Sequence, residues 1–295
     1  MAEKRKFYGM RNDYMFHAVL QKNEEVLRNL LATLLEIDEA EIESCHIENP
    51  IELGKEIEGK ECILDVKLTL NNDKVINIEL QVYKQTYWIN RSLLYWARTY
   101  DNLKSGQDYS MLLPAYHIGI LDFTLFENHP KFMAQYQIMD VDDGYLYSDK
   151  LCIKVLDLTQ LEKAKQESET NKKLLKWASI FKAETLEELE QLASGEEVFE
   201  NMVVTMKKLS EDEKIRMQCE AREDYERSLL TEYNAGKSEG IEQGIASERG
   251  NTEKERQRAE KESQRAEKER QRAKKESQRA DALAAEVERL RALLK

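Results

Sequence analysis

No run of about 18 apolar residues occurs in this chain, so nothing reads as a membrane-spanning helix, and the opening MAEKRKFYGM is basic without the apolar stretch of a signal peptide. Four cysteines (Cys45, Cys62, Cys152, Cys219) are scattered without a CxxC pair, and His17, His46, His117 and His129 fall at no metal-ligand spacing. Neither a zinc site nor a disulfide framework is indicated. Dispersed, unpaired thiols suit a reducing compartment, and the chain reads as cytoplasmic with no membrane partner. Positive charge is short as well: 45 Lys+Arg against 57 Asp+Glu leave a net charge of -12. Broad attraction to phosphate backbones needs lysine and arginine to displace counterions, so any nucleic-acid contact must be local or metal-assisted.

What is present is enough for one sizeable core: 295 residues, 41% of them apolar, suggest one or two domains. The charge is unevenly placed. Residues 251–295 carry 14 Lys+Arg and 10 Asp+Glu, a balance of +4, which leaves -16 on residues 1–250. The expected globular part is therefore the acidic part.

Residues 12–36 repeat apolar side chains at three and four (Phe16, Val19, Leu20, Leu27, Leu30, Leu31, Leu34), the period of one amphipathic helix with Asn12 or Asp13 as N-cap. A β-like segment near 42–47 and a polar loop from Glu48 to Lys60 follow. Then two runs, ECILDVKLTL (61–70) and KVINIELQVY (74–83), alternate around Asn71, Asn72 and Asp73 and predict a hairpin. One face carries Leu64, Val66, Leu68, Leu70, Ile76, Ile78, Leu80 and Val82; the other carries Asp65, Lys67, Thr69, Asn77, Glu79 and Gln81. Keeping both apolar sets on one side requires paired residue numbers with an even sum, and a three-residue loop sets that sum at 144. Asp65 then stands opposite Glu79, with Gln81 one step along the same face.

Residues 86–105 read as a helix ended by Gly106, and 115–126 as a strand behind Pro114, which completes an αβββαβ order. A second hairpin is expected from 136–141 and 151–158 around Asp142, Asp143 and Gly144, extending the sheet or flanking it. The predicted organisation is an α/β core over 1–158, charged amphipathic helices over 159–235 that cover a sheet face or contribute to an interface, a segment over 236–250 where Gly236, Gly240 and Gly244 recur every four residues and mark a hinge or else a close helix approach, and a tail over 251–295.

The tail repeats EKERQRA, EKESQRA, EKERQRA and KKESQRA from 253 to 280. With Ala280 as position a, Leu283, Val287, Leu290 and Leu294 form a coiled-coil seam suited to a homodimer, with a trimer also allowed. Upstream, a is alanine and d is glutamate, so the first four heptads bury little. There a solvated single helix supported by i,i+4 glutamate–arginine pairs stands as the alternative.

Two carboxylates on one sheet face suit hard-cation chemistry: Asp65 and Glu79 would bind Mg²⁺ or Mn²⁺, with the backbone carbonyl of Leu80 as a third ligand. A metal so held polarises a phosphodiester and lowers the pKa of a bound water. The competing reading is a pair of solvent-facing acids that repel by some tenths of a kcal/mol.

Asp65 in ILDVKL and Glu79 with Gln81 in IELQVY, set in αβββαβ order, resemble the PD-(D/E)XK nucleases, and more narrowly the bacterial recombination-promoting nuclease and transposase family. RNDYMF (11–16), RSLLYWARTY (91–100), GQDYSMLLPAYHIGILDF (106–123) and AGKSEGIEQG (235–244) are similar to that family too, and the likeness spans roughly residues 8 to 250. It implies a restriction-endonuclease-like fold and metal-dependent DNA endonuclease activity in recombination or mobile-element biology. The superfamily pattern has lysine where Gln81 stands. Glutamine supplies no charge but can orient the attacking water, which points to a slow or tightly regulated enzyme.

Superfamily members often donate a further acid from the first helix, and Asp13 is the candidate, beside its reading as an N-cap. Lys67 is expected to contact phosphate or neutralise Asp65. Arg91 and Tyr95 share a helix face and are candidate substrate contacts or structural residues, and Tyr83, Tyr87 and Trp88 are candidates for base stacking or packing. Two rival functions remain: a catalytically inactive DNA-binding or transposition-accessory protein, and an interaction scaffold working through the tail.

Overall fold

A computed structural model of the chain describes residues 6–51, 53, 65–84, 87–167 and 171–293, with the side chains of 288 and 290–293 outside that description. The expected strand start at 61–64, Cys62, most of the loop at 48–60, the helix start at 86, and the seam side chains Leu290 and Leu294 lie outside the described residues. The chain divides into two compact units, Met1–Ser228 and Leu229–Lys295.

In the first unit, the predicted opening helix is two helices, α1 (Asp13–Lys22) and α2 (Glu24–Leu35). The break has a local cause. Asn23 leaves the helical region at φ -134°, and its side chain accepts from Val26 N at 3.1 Å to cap the second helix. Asparagine competes for backbone groups in this way, which a hydrophobic period does not reveal. Asn12, rather than Asp13, caps the first helix by accepting from Met15 N at 3.1 Å.

Strand β1 (Cys45–Ile47) precedes the hairpin of β2 (Val66–Leu70) and β3 (Lys74–Gln81). The hairpin pairs Val66 with Ile78, Leu68 with Ile76 and Leu70 with Lys74, the expected register. Its turn places Asn71 and Asn72 at φ +49° and +54°, a left-handed region that asparagine tolerates. The Asn71 side chain also accepts from Glu43 N and Ser44 N and donates to Glu41 O, tying the turn to the segment before β1.

Helix α3 (Trp88–Tyr100) then crosses to β4 (Ala115–Leu121), parallel to β3. It ends at Asp101, ahead of Gly106, which serves a later turn at φ +84°. The second hairpin, β5 (Met133–Met139) with β6 (Leu146–Asp157), extends the sheet, because β6 pairs parallel to β4. Six strands lie in the order β1-β2-β3-β4-β6-β5.

One sheet face buries Val66, Leu68, Leu70, Ile76, Ile78, Ile118, Ile120 and Leu156 in one core with Phe16 and Leu20 of α1 and Leu30 and Leu31 of α2. Helices α4 (Leu161–Ala164), α5 (Lys172–Lys182), α6 (Leu186–Ala193) and α7 (Glu197–Glu211) continue that core outward. Trp177 packs on Phe199 with ring centroids 5.1 Å apart and donates to Asn29 Oδ1 at 3.0 Å. The helices that follow residue 159 thus share the sheet's core. Helix α8 (Glu213–Leu293) begins in this unit, where Ile215 and Cys219 are buried and Asn12 Nδ2 donates to Cys219 O at 2.9 Å.

The second unit is the rest of α8. The segment 236–250, expected as a hinge, is helical throughout, and a Cβ at Gly236, Gly240 or Gly244 would meet nothing within 4 Å. Leu283 and Val287 are 65% and 46% exposed.

Candidate active site

The opposite sheet face carries the polar set of the hairpin, and it is covered. Asp65 is 5% exposed and Glu79 1%, so the reading of both as solvent-facing acids fails. Helix periodicity brings Trp88, Ser92 and Thr99 of α3 into the buried layer over this face, with Arg91 and Tyr95 half-buried beside them. Gly119 of β4 pairs with Glu79, and a Cβ there would overlap the Trp88 ring, so glycine is what lets the indole lie flat beside the acids. Trp88 is therefore a packing residue, whereas Tyr87 is exposed.

Asp65 stands one step beyond the last hairpin pair, Val66 with Ile78, which continues to Glu79. Burial pushes the Asp65 carboxyl up to about 7, helped by the neighbouring Glu79 charge and opposed by the Asn77 hydrogen bond and Arg91. Asn77 Nδ2 donates to Asp65 Oδ2 at 3.3 Å and lies 3.2 Å from His117 Nδ1. With the amide as donor, Nδ1 accepts and the ring proton sits on Nε2, which faces Glu79 Oε2 at 3.4 Å. Arg91 Nη2 lies 3.0 Å from Glu79 Oε1, and its guanidinium rests 5.0 Å from the Tyr95 ring centre. Among the described residues neither Glu79 oxygen has a hydrogen-bond partner, so charge rather than directed bonds holds this carboxylate there.

Gln81 shares the face two residues beyond Glu79, half-buried, with its backbone carbonyl accepting from Asp122 N at 3.0 Å. That bond and Val75 N to Pro114 O show that odd-numbered residues of β3 direct their backbone groups to β4. Even-numbered residues therefore face β2, which aims the Leu80 carbonyl to the side where Asp65 stands. The other candidates are engaged elsewhere. Lys67 Nζ pairs with Glu48 at 2.9 Å, neither with Asp65 nor set free for phosphate. Asp13 accepts from Arg222 Nε through both oxygens at 3.0 Å.

Sequence reasoning missed Asn77 and His117 as contributors, and Asn49, which donates to the Asp65 carbonyl at 2.7 Å and accepts from Lys67 N at 2.9 Å. The position of His117 follows from the parallel β3–β4 register, which no local signal encodes. Arg11 pairs with Asp122, and Glu226 is pushed up to about 7 by burial and by the Asp13 charge.

Among the described residues no group of three or more His, Cys, Asp or Glu side chains is set to hold a metal. The donor set is instead two buried, adjacent carboxylates, one pushed up to about 7 by burial and then by its neighbour's charge, together with a backbone carbonyl. Hard oxygen donors of this kind fit a small divalent cation whose remaining positions go to water and phosphate. Among the described residues no helix is long and apolar enough to cross a membrane.

An αβββαβ core with paired acids at the end of a β-hairpin defines the restriction-endonuclease-like fold. The model of the PD-(D/E)XK nuclease family transposases matches residues 10–236, more than half of the chain, and the protein belongs to that family. No curated protein and no solved structure matches the chain.

Proposed function

We propose that the chain is a divalent-metal-dependent endonuclease that hydrolyses DNA phosphodiesters. Asp65, Glu79 and the Leu80 carbonyl would hold Mg²⁺ or Mn²⁺, which supplies charge neutralisation at the phosphate and an acidified water. Gln81 orients the water through its amide, and the Asn77–His117 pair fixes the two carboxylates. The single observation that carries this reading is the burial of Asp65 beside Glu79, since two carboxylates packed together in a low-dielectric layer call for a cation. The same family membership, matched over residues 10–236, supports a role in recombination or mobile-element biology. The seam from Ala280 to Leu294 supports a homodimer.

One observation favours the rival reading of a catalytically inactive DNA-binding protein: Arg91 already occupies Glu79. The test is cleavage of supercoiled and linear DNA in Mg²⁺, Mn²⁺ and EDTA by the wild type, Asp65→Ala and Glu79→Ala. Metal-dependent nicking lost in both variants supports the enzyme. DNA binding without cleavage in any metal supports the rival.

A further inference from the structure

The tail carries a line of lysines that neither self-association nor glutamate–arginine helix support explains. On the continuous helix of the second unit, Lys254, Arg258, Lys261, Arg265, Lys268, Arg272, Lys275 and Arg279 recur at alternating steps of four and three. That spacing keeps all eight on one face, a stripe about 37 Å long at 1.5 Å per residue. All eight are exposed, and among the described residues none of them makes an ion pair. The tail's ion pair, Arg256 with Glu260 at 3.5 Å, lies off the stripe and runs arginine first, the weaker orientation. Gln257 and Gln271 instead bond Glu253 and Glu267 at 3.2 Å, so these acids are turned away from the lysines. Each lysine of the stripe has only uncharged residues or arginine at three and four positions away, whereas each of its arginines follows a glutamate by three positions. Neighbouring like charges cost a helix a few tenths of a kcal/mol per pair, a cost that an anionic partner removes.

We propose that this stripe is a docking face for the phosphodiester backbone of duplex DNA, held without sequence preference. Charge complementarity selects a polyanion: regularly spaced cations along one line match a backbone carrying a negative charge every 1.7 Å or so. An anionic membrane is disfavoured because residues 251–280 contain no leucine, isoleucine, valine, phenylalanine or tryptophan to enter the acyl region. The choice of DNA among polyanions rests on the nuclease reading, but the site itself does not.

The test is binding of the full chain to a labelled duplex in EDTA across a salt series, which reads the tail whether or not the first unit cleaves DNA in Mg²⁺. Lys254→Gln, Lys261→Gln and Lys268→Gln combined are compared with Arg256→Gln, Arg270→Gln and Lys274→Gln combined, which remove the same charge off the stripe. Glutamine matches lysine and arginine closely in helix propensity, and circular dichroism checks that both variants stay helical. The expected result is a salt slope reduced by about 2 to 3 in the stripe variant alone, at 0.9 per phosphate contact, with affinity down more than tenfold. Equal losses in both variants would reduce the effect to net charge and overturn the proposal. So would no loss in either, or stripe-dependent binding to phosphatidylserine vesicles in place of DNA.

Discussion

The two faces of the first unit's sheet are made from the same strands, residue by residue in alternation, and both are buried. The face toward α1 and α2 packs Val66, Leu68, Ile76, Ile78, Ile118 and Ile120 into one apolar core. The face under α3 buries Asp65, Asn77, Glu79 and His117. A protein built for stability alone would fill the second face like the first, because burying two adjacent carboxylates is costly even with Arg91 beside Glu79. The difference separates residues that hold the sheet together from residues whose burial one arginine only partly offsets.

The largest effect expected from this contrast is on cleavage. Glu79→Gln keeps the volume under α3 but removes the charge, and should lower cleavage by about 10²-fold or more, the scale of losing one preorganised electrostatic group at a reacting phosphate. Its thermal midpoint should fall less than that of Ile78→Ala, because removing one of two adjacent buried carboxylates offsets part of the lost Arg91 pair. Cleavage retained within a few-fold would break the comparison at its centre. Next in size, Ile78→Ala, one residue away on the other face, should cost about 2–5 kcal/mol by urea titration while leaving the activity of the folded fraction unchanged. A variant that loses activity without losing stability would show that the faces are not separable.

Much of this contrast was legible beforehand. The parity of the hairpin and its Asn71–Asn72–Asp73 turn set the register, so the juxtaposition of Asp65 and Glu79 followed from alternation alone. The burial of that face did not follow, because Trp88 and Arg91 cover it only once α3 folds back, and Gly119 makes the approach possible. His117 was equally hidden, since a parallel register between strands more than thirty residues apart leaves no local trace. Lys67 was assigned from its face, yet Glu48 in the preceding segment captured it. The long helix at 236–250 ran against glycine propensity of about 1 kcal/mol per residue, a weak prior that neighbouring helix formers outweigh.

A smaller effect tests the fit of the α3 layer itself. Gly119→Ala would push a methyl group into the Trp88 ring, which is buried. Overpacking of this kind costs about 1–3 kcal/mol and should also displace Arg91, three residues along the helix, from Glu79. A stable Gly119→Ala chain with unchanged tryptophan fluorescence would mean that the layer over the acids is loose.

The smallest effect has the opposite sign and is the most diagnostic. Asp65 has its carboxyl pushed from the ordinary 3.8 up to about 7 in the folded chain, so the metal-free protein favours its protonated form. A raised folded value means that the associated stability is fully present below about pH 4 and is lost as pH rises through 7. Between those limits the thermal midpoint in EDTA should fall, with Glu226, also pushed up to about 7, contributing in the same direction. Asp65→Asn removes the buried charge but also one of the two carboxylates attracting Arg91, which offsets part of the gain. The net at pH 8 should be a stabilisation on the order of 1 kcal/mol, vanishing near pH 4. Added Mg²⁺ should raise the wild-type midpoint at pH 8, where Asp65 is ionised, and have little effect on Asp65→Asn, because a cation binds the deprotonated carboxylate and displaces the proton. If Mg²⁺ stabilises both chains equally, the ion is bound elsewhere, and the buried acids under α3 have some other reason to be there.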